Sequence, residues 1–382
     1  MLLAAALAGV VLLAFASRLA GARAAAPALP PAAPATPPST LAILPVRDEA
    51  AQVVACVESL LGQSAPLELR VVDDGSRDAT AALVAGLVPA ADGRLTLSSA
   101  GPLPAGWSGK VHALARGSAG AEPEWLLFTD ADTRHHPELL ARAHAAAAAG
   151  PLDLVSIAGH QRVSGWGASL LTPPVFALLD ADLGDWAPYA EGEGEPPLAN
   201  GQFLLVRRAA LEAAGGLEPL ARVALDDVTL ARRLVAAGGR AGFFRALDLL
   251  EVEMYPGFQA AWQGWRRNLA LLYGSRTGFA GAVAAFAALP AVGVTALLAA
   301  GALPAAGLLW ALAAIASGVL RTSARFPAAP ALTAPLEGLL FAALLLTALA
   351  DFRRGRLAPW RGRELPPPGA GGDEAQPGSG AE

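Results

Sequence analysis

The sequence predicts an α/β domain built on a mostly parallel sheet, with apolar membrane segments before and after it. Three observations predict this arrangement. Short apolar runs alternate with helical periodicity between residues 40 and 255, an uncharged apolar run opens the chain, and further apolar stretches follow residue 276. Of the 382 residues, 54% are hydrophobic and 16% are charged, and the mean hydropathy is +0.43. This composition excludes a simple soluble enzyme.

The charge balance excludes nucleic acid as a partner. With 28 basic and 33 acidic residues the net charge is -5, which offers no basic field for a phosphate backbone. Cys56 is the single cysteine, so the chain cannot form an intramolecular disulfide. A reducing, cytosol-facing location fits this usage.

The N-terminal segment is predicted to be a membrane anchor over residues 1–23. Residues 2–17 are apolar and uncharged, and Arg18 and Arg23 follow them. A cleaved signal peptide is the alternative, but its positive charges should precede the apolar run rather than follow it. The Ala/Pro-rich segment 24–39 predicts a stiff, extended linker.

Four apolar runs predict the strands of a domain spanning residues 40–255. They are residues 41–46, 67–72, 94–97 and 125–129. Between the first two, residues 49–63 repeat apolar positions with the period of a helix that packs on a sheet. The order strand, helix, strand implies parallel pairing, and such sheets bind ligands beyond the carboxyl ends of their strands.

Acidic residues follow three of these strands. The clusters are Arg47-Asp48-Glu49, Asp73-Asp74-Gly75-Ser76 and Asp130-Ala131-Asp132. Carboxylates gathered at one sheet edge repel one another unless a cation or a hydrogen-bonding ligand lies among them. Two carboxylates spaced as in the third cluster suit Mg²⁺ or Mn²⁺, which would bridge substrate phosphates. The alternatives are that Asp132 caps the next helix and that Asp73-Asp74-Gly75 is an ordinary turn.

Two further features accompany these clusters. Lys110, the only lysine, follows Gly106-Trp107-Ser108-Gly109, where its ammonium can meet a phosphate; the alternative is a solvated surface lysine. Trp107 is predicted to stack on a sugar, to lie at the membrane or to fill core. His135 and His136 follow the third cluster, and we favour a solvated helix start over a metal-ligand role.

These motifs, in order, resemble the family 2 glycosyltransferases, which are inverting enzymes with the nucleotide-sugar-binding GT-A fold. The resemblance covers residues 42–268 and rests on Pro45–Glu49, Asp73–Ser76, Asp130–Asp132 and Leu225–Leu230, with Asp48 in place of the family's usual Asn. It implies a UDP- or GDP-linked sugar donor bound by six residues: Arg47, Glu49, Asp73, Asp74, Lys110 and Asp130.

The same resemblance implies the catalytic roles. Asp130 and Asp132 would hold a divalent metal, Mg²⁺ or Mn²⁺, and Asp227 would be the catalytic base with Asp226 as its neighbour. The chemistry agrees, because a departing nucleoside diphosphate builds negative charge and an acceptor hydroxyl needs a carboxylate base. The alternative for the acidic pair is a pair of charges favourable at a helix N-terminus.

Within the family, three motifs resemble the membrane-bound hopanoid-associated and carotenoid-type glycosyltransferases, which implies a lipid acceptor. They are Gly106–Lys110, Asn200-Gly201-Gln202 and Met254–Phe258. Residues 263–267 match only in part the Q-x-x-R-W signature of processive polysaccharide synthases, which remain an alternative. A nucleotidyltransferase is disfavoured because residues 44–49 lack a Gly-rich phosphate loop. Retention of all the acidic clusters argues against a degenerate membrane scaffold.

The C-terminal part is predicted to hold an interfacial helix and membrane helices. Residues 256–276 place an apolar face opposite arginines, which predicts a helix in the bilayer interface, with a core helix as the alternative. Acceptor and membrane contacts are assigned to Asn200, Trp262, Trp265, Arg266 and Arg267.

Residues 277–350 contain apolar stretches at 279–303, 305–320 and 332–350, and residues 351–382 read as a basic, then disordered, tail. Arginine groups flank every stretch, and three full spans would place the last group outside, so one stretch is predicted to be re-entrant or interfacial. We expect a multi-pass protein of the inner membrane with a cytoplasmic catalytic domain.

Overall fold

A computed structural model describes residues 1–32, 36–184, 188, 192, 199–223 and 225–356. The described chain forms two compact units. The sheet unit takes its residues from 26–160 and 186–253, and the helical unit takes its residues from 1–25, 161–185 and 254–359. The predicted disordered tail falls almost wholly on residues 357–382, outside the described residues.

The sheet unit is built on a seven-stranded sheet with the order β3-β2-β1-β4-β8-β6-β9. The strands are β1 Thr40–Val46, β2 Leu67–Asp73, β3 Leu95–Ser99, β4 Trp125–Phe128, β6 Leu154–Ala158, β8 Leu204–Arg207 and β9 Ala241–Arg245. β1 pairs in parallel with β2 and β4, and β2 with β3, whereas β8 runs antiparallel to β4 and β6. The predicted α/β class with a mostly parallel sheet is confirmed.

Smaller elements complete this unit. β5 (Thr133–His135) pairs antiparallel with β10 (Leu250–Glu253), and β7 (His160–Arg162) is the strand on which the chain passes into the helical unit. The helices are α2 Val53–Leu61, α3 Thr80–Leu87, α4 Gly109–Ser118, α5 Leu139–Ala149, α7 Arg208–Ala213 and α8 Asp226–Ala236. Apolar faces of α4 and α8 pack on the central strands in one buried core.

The segment after the first helix is docked on the sheet rather than forming a free linker. Ala28 makes a parallel bridge with Arg245 at the edge strand β9. The Arg142 side chain donates hydrogen bonds to the carbonyls of Leu29 and Pro30, at 2.7 and 2.8 Å. Because its backbone is held in this way, residues 26–30 belong to the sheet unit.

The helical unit contains α1 Leu2–Ala25, α6 Gly165–Leu183, α9 Gly257–Tyr273, α10 Thr277–Ala299, α11 Leu303–Ser323 and α12 Ala334–Arg353. In the described part of the chain, four helical segments are long and apolar enough to cross a membrane: residues 2–25, 277–299, 303–323 and 329–353. The middle C-terminal helix, whose apolar stretch in the sequence covers residues 305–320, has 21 residues.

Two placements in this unit differ from the sequence predictions. α6 lies within the range predicted for the catalytic domain, yet it packs against α9 and α12. Trp265 is only 5% exposed, and its indole N–H donates to Thr172 Oγ1 at 3.1 Å. Its assignment to the membrane surface is therefore wrong, because protein side chains cover it. Phe258, by contrast, is 41% exposed and stacks on Trp262.

Candidate active site

The first two acidic clusters are bound into a network of turns at the carboxyl ends of β1 and β2. Asp73 accepts a hydrogen bond from the Ser76 backbone N–H at 3.1 Å, and Asp48 accepts one from the Arg77 N–H at 2.7 Å. The Arg47 guanidinium donates to the Asp74 carbonyl and lies 3.7 Å from the Asp74 carboxylate. Most of the charge in these clusters is therefore engaged in local hydrogen bonds.

The third cluster lies against Lys110. The Lys110 ammonium is 2.8 Å from Asp130 Oδ1 and 3.8 Å from Asp226 Oδ2. Lys110 stands in the first turn of α4, whose N-terminus is capped by Ser108 accepting from the Val111 N–H at 3.2 Å. The lysine is therefore fixed between the end of β4 and the start of α8, two segments far apart in the sequence.

Asp227 is oriented by the backbone. Its Oδ2 accepts a hydrogen bond from the Gly201 N–H at 2.8 Å, and its Oδ1 accepts from the Val228 N–H at 2.8 Å. A side chain at Gly201 would place its Cβ 2.8 Å from the Lys110 nitrogen and 3.4 Å from Asp227 Oδ2. The absence of a side chain at Gly201 is what allows the lysine and this carboxylate to face the same turn.

The electrostatics of the site follow from burial among like charges. Burial, reinforced by Asp226, raises the pKa of Asp227 to about 6 despite the Lys110 charge. Burial also raises the pKa of Asp226. The pKa of Lys110 is raised because the attraction of Asp130, Asp226 and Asp227 outweighs the desolvation of its ammonium. A carboxyl with a pKa near neutrality suits proton abstraction.

Asp132 provides the test of whether a metal fits. Its Oδ1 is buried without a hydrogen-bond partner among the described residues. Burial, with Asp130 and Glu49 nearby, raises the Asp132 pKa to about 7. An unbonded carboxylate oxygen beside further carboxylates is a place where a divalent cation would relieve repulsion.

The described residues form no group of three or more potential metal-ligating side chains. Asp130 and Asp132 alone could hold a Mg²⁺ or Mn²⁺ ion if water and substrate oxygens completed its coordination, the usual arrangement for Mg²⁺. Asp132 does not cap a helix, because β5 begins at the next residue and the following helix begins at Leu139.

A turn that carries Gly201 is held by its own side chains. Asn200 Oδ1 accepts from the Gln202 N–H at 3.1 Å, and Asn200 Nδ2 donates to Gln202 Oε1 at 2.8 Å. Thr129, at the end of β4, donates to the Gln202 carbonyl at 2.7 Å. The sequence predicts that Asn200 contacts the acceptor. It does not predict that Gly201 and Thr129 hold this turn beside Asp227, although Gly201 lies inside the Asn-Gly-Gln motif.

Three other side chains that the sequence analysis singled out, His135, Cys56 and Trp107, are packed inside the sheet unit. His135 is buried between Thr129 and Ser59, and burial lowers its pKa to about 3. The Cys56 thiol is buried, which raises its pKa to about 12. The Trp107 ring packs on the core and edge-on to His112. Of these three side chains, the Cys56 thiol lies nearest the acids, since it donates to the Asp130 backbone carbonyl at 3.6 Å.

The remaining predicted acceptor residues lie on α9 in the helical unit. Trp262 is half-buried, and Arg266 forms an ion pair with Asp351 of α12. Arg267 is half-buried on the same helix. These side chains belong to a different compact unit from Lys110 and the carboxylates.

Residues 41–172 match the sequence model of the family described as Glycosyl transferase family 2. The matched range contains the first four strands and all three acidic clusters that follow strands. No curated protein sequence is similar enough to the chain to count as a match.

Three solved structures are similar to the chain to different degrees. The mannosyltransferase PcManGT from Pyrobaculum calidifontis, in complex with GDP-Man and Mn²⁺, is 22% identical; the alignment covers 90% of this chain and 98% of that one, with a TM-score of 0.52. Mannosyl-3-phosphoglycerate synthase from Rubrobacter xylanophilus is 20% identical over 57% of this chain and 68% of its own, with a TM-score of 0.35. TarS 1-349 from S. aureus is 14% identical over 83% and 92%, with a TM-score of 0.41. The family match and the similarity to the mannosyltransferase show that the chain has the GT-A fold expected from the sequence resemblance.

Proposed function

We propose that the chain is an inverting glycosyltransferase that moves a sugar from a nucleotide-sugar donor to a hydroxyl group of a membrane lipid. The observation that carries this proposal is the arrangement of Asp227. Its carboxylate is oriented by two backbone N–H groups, has a pKa raised to about 6, and faces the turn that also meets Lys110. A base and a cationic phosphate site on one turn are the parts that glycosyl transfer needs.

The transfer step assigns a task to each side chain. The acceptor hydroxyl oxygen forms a bond to the anomeric carbon while its proton passes to Asp227. The bond from that carbon to the diphosphate oxygen breaks, and its electron pair leaves with the nucleoside diphosphate. Attack on the face opposite the leaving group inverts the anomeric configuration. Asp226 sustains the raised pKa of the base through its neighbouring charge.

Negative charge on the departing diphosphate requires compensation. The Lys110 ammonium contacts the Asp130 carboxylate, and when the donor binds it can contact a phosphate oxygen in place of Asp130. Asp130 and Asp132 would hold a divalent metal, which supplies Lewis-acid stabilisation of the diphosphate when bound. Arg47, Glu49, Asp73 and Asp74 shape the donor site through the turns that follow β1 and β2.

The acceptor is proposed to be a lipid with a free hydroxyl, such as a polyprenyl, hopanoid or carotenoid-like molecule. The support is the presence of four apolar helical segments in the described chain and the exposed aromatic side chain of Phe258 stacked on Trp262. Aromatic side chains of this kind favour the bilayer interface. We propose an inner-membrane location with the sheet unit in the cytoplasm.

The proposal is tested by transfer assays with purified full-length protein. GDP-mannose with Mn²⁺ is the first donor because the structural relative from Pyrobaculum calidifontis was solved with both. UDP-linked sugars follow, each with an extract of membrane lipids as the acceptor and mass spectrometry as the readout. We expect a glycolipid product from one donor, its loss with EDTA, and its recovery with Mn²⁺ or Mg²⁺.

Two variants make the assay specific. Asp227→Asn should lose the product, whereas Asp92→Asn, which changes an exposed acid in a turn of the same unit, should retain it. Nucleotide release without any glycolipid would contradict the lipid acceptor, and product formation by Asp227→Asn would contradict the base. Failure of every donor to bind would contradict the proposed activity as a whole.

A further inference from the structure

Three helices of the helical unit have directions fixed by their contacts. α10 and α11 form an antiparallel hairpin, in which Gly293 approaches Leu309. α1 runs parallel to α11, because a side chain at Gly9 would collide with Leu312 and the Arg23 guanidinium donates to the Leu320 carbonyl at 2.6 Å. The C-terminal ends of α1 and α11 and the N-terminal end of α10 therefore lie at one face of the bundle.

The last helix, α12, runs antiparallel to α10. A side chain at Gly338 would collide with the Ala287 backbone, and one at Gly274, just before α10, would collide with Phe352. α12 therefore ends where α10 begins. Because α11 is also antiparallel to α10, the consecutive helices α11 and α12 point in the same direction.

Two consecutive parallel helices require the chain between them to turn back. Residues 324–333 make this return, and the indole N–H of Trp310 donates to the Leu332 carbonyl at 2.8 Å. Trp310 lies about 20 Å back along α11 from its end at Ser323, at 1.5 Å per residue. The start of α12 is therefore deep inside the bundle, between its two faces.

Several polar backbone groups of the returning segment find partners within the protein. Arg321 donates to the Pro327 carbonyl at 3.3 Å, and the Phe326 N–H donates to the Arg321 carbonyl at 2.9 Å. Thr333 Oγ1 donates to the Pro330 carbonyl at 2.8 Å, and the two prolines carry no N–H. Irregular backbone is tolerated at membrane depth when its polar groups find such partners.

An ion pair ties this segment to the helix before it. Arg321, which is fully buried, bonds Glu337 Oε1 at 2.8 Å, and Ser317 donates to Glu337 Oε2 at 2.9 Å. The first turn of α12 is thereby joined to the last turns of α11. Leu332, Leu336 and Leu339 on the same segment are 69%, 48% and 47% exposed, which suits contact with lipid chains.

We propose that residues 324–353 form a re-entrant hairpin, which enters the bilayer from the face where α11 ends and leaves by the same face along α12. The partner that this surface fits is a bilayer whose anionic headgroups meet a single arginine-bearing face. That face carries the exposed Arg18, Arg353 and Arg354. Arg23, Arg276 and Arg321 lie at the same face and are held in ion pairs within the protein. α1, α10 and α11 cross completely, so the N-terminus lies on the opposite side from the C-terminus.

This arrangement accounts for the arginine distribution. If α12 crossed the bilayer completely, Arg353 and Arg354 would lie at the face opposite Arg276 and against the positive-inside tendency. The contact of Gly274 with Phe352 places the end of α12 beside the start of α10 instead. The arginines near the ends of α1, α11 and α12 and before the start of α10 then lie on the same side of the bilayer.

Cysteine labelling in oriented membrane vesicles tests the hairpin and does not depend on any enzymatic activity. The native Cys56 is buried, so it serves as the unlabelled background. Four exposed positions receive a cysteine singly: Ala300, Thr322, Leu332 and Arg354. Each variant is treated with a membrane-impermeant maleimide in right-side-out and in inside-out vesicles.

We expect Ala300→Cys to label from one side only, and Thr322→Cys and Arg354→Cys to label from the other side only. Leu332→Cys should label from neither side, because it lies within the hydrocarbon. Labelling of Arg354→Cys together with Ala300→Cys would overturn the hairpin. Labelling of Leu332→Cys from the side of Thr322 would also overturn it, because residue 332 would then lie at the surface.

A second measurement removes the risk that a cysteine variant fails to fold. The unaltered full chain is fused at its C-terminus to green fluorescent protein or to alkaline phosphatase, which are active in the cytoplasm and the periplasm respectively. Parallel fusions at residue 300 serve as the control. We expect the two fusion points to report opposite sides, and the same side at both points would contradict the proposal.

Discussion

The sheet unit and the helical unit both bury charged side chains, but they balance them differently. In the helical unit the two buried arginines each pair with an acid, Arg23 with Asp180 and Arg321 with Glu337. The half-buried Arg276 and Arg266 pair with Asp182 and Asp351. In the sheet unit, Lys110 contacts Asp130 and Asp226 and feels the charge of Asp227, while Asp132 keeps an unbonded buried oxygen.

The difference separates stabilising charges from functional ones. In a one-to-one pair each charge is neutralised by its partner, so removal of one partner leaves an unpaired charge and destabilises the fold. Around Lys110 the carboxylates outnumber the cation, so without a ligand their charges are not all neutralised. Their repulsion lowers the stability of the fold until a cation binds. Strongly raised pKa values at such a place are typical of catalytic sites.

Loss of the base should give the largest effect on activity. Asp227→Asn keeps the size of the side chain but replaces one of its two accepting oxygens with an NH2 group and cannot take up a proton. We therefore expect turnover to fall by about 10²–10⁴-fold, the usual range for general-base catalysis. Calorimetry with GDP and Mn²⁺ should show nearly unchanged binding. Asp226→Asn should cost less turnover, and an equal or larger loss there would exchange the two roles.

Loss of a paired charge in the helical unit should give the largest effect on stability. Arg321→Ala leaves Glu337 buried without its partner, and we expect unfolding to become easier by about 3–5 kcal/mol. Thermal unfolding in detergent measures this. The double variant Arg321→Met with Glu337→Leu should recover most of the loss, and a single variant as stable as the native chain would show that this pair is not needed.

A side chain at Gly201 should have a smaller effect. In Gly201→Ala the added methyl group would meet Lys110, so the lysine must move away from Asp130. We expect kcat/KM for the donor to fall about tenfold, which corresponds to about 1.4 kcal/mol. Gly86→Ala is the matched control, since no atom lies near a side chain at that helical position. Equal kcat/KM for the two variants would show that Gly201 does not position Lys110.

An effect of comparable size should appear in the pH dependence of stability without metal. The folded pKa of Asp132, about 7, lies above its ordinary value, so proton binding favours the folded state. This contribution is complete below about pH 4 and is lost as the pH rises through 7. Asp132→Asn should therefore be more stable than the native chain at pH 8, by about 1–3 kcal/mol, and no more stable at pH 4. Unfolding in EDTA at both pH values measures this, and equal differences would contradict the buried charge.

The sequence predicts the sheet and one side of the site well. Parallel strands that follow one another in the chain bring their carboxyl ends to one edge, so the acids after β1, β2 and β4 could be placed before the structure was known. The meeting of Lys110 with Asp226 and Asp227 could not be derived from strand order. It requires β8 to enter antiparallel between β4 and β6, which no local pattern specifies.

The helical unit was predicted less well, for identifiable reasons. Residues 163–179 are apolar and uncharged, but Pro173 and Pro174 weigh against a helix, and the sequence analysis left α6 inside the catalytic domain. The periodicity of α9 correctly gives an apolar face. It does not distinguish burial against lipid from burial against α6 and α12, which is why Trp265 was assigned to the membrane surface.

The pH dependence of kcat/KM tests the role of Asp227 most directly, because this quantity reports the ionisation of the free enzyme. It is measured for sugar transfer between pH 5 and 8 with saturating Mn²⁺. We expect a rise with pH whose midpoint lies near 6, the pKa of Asp227, and a residual Asp227→Asn activity without that rise. A flat profile for the native enzyme, or the same rise in the variant, would contradict Asp227 as the base.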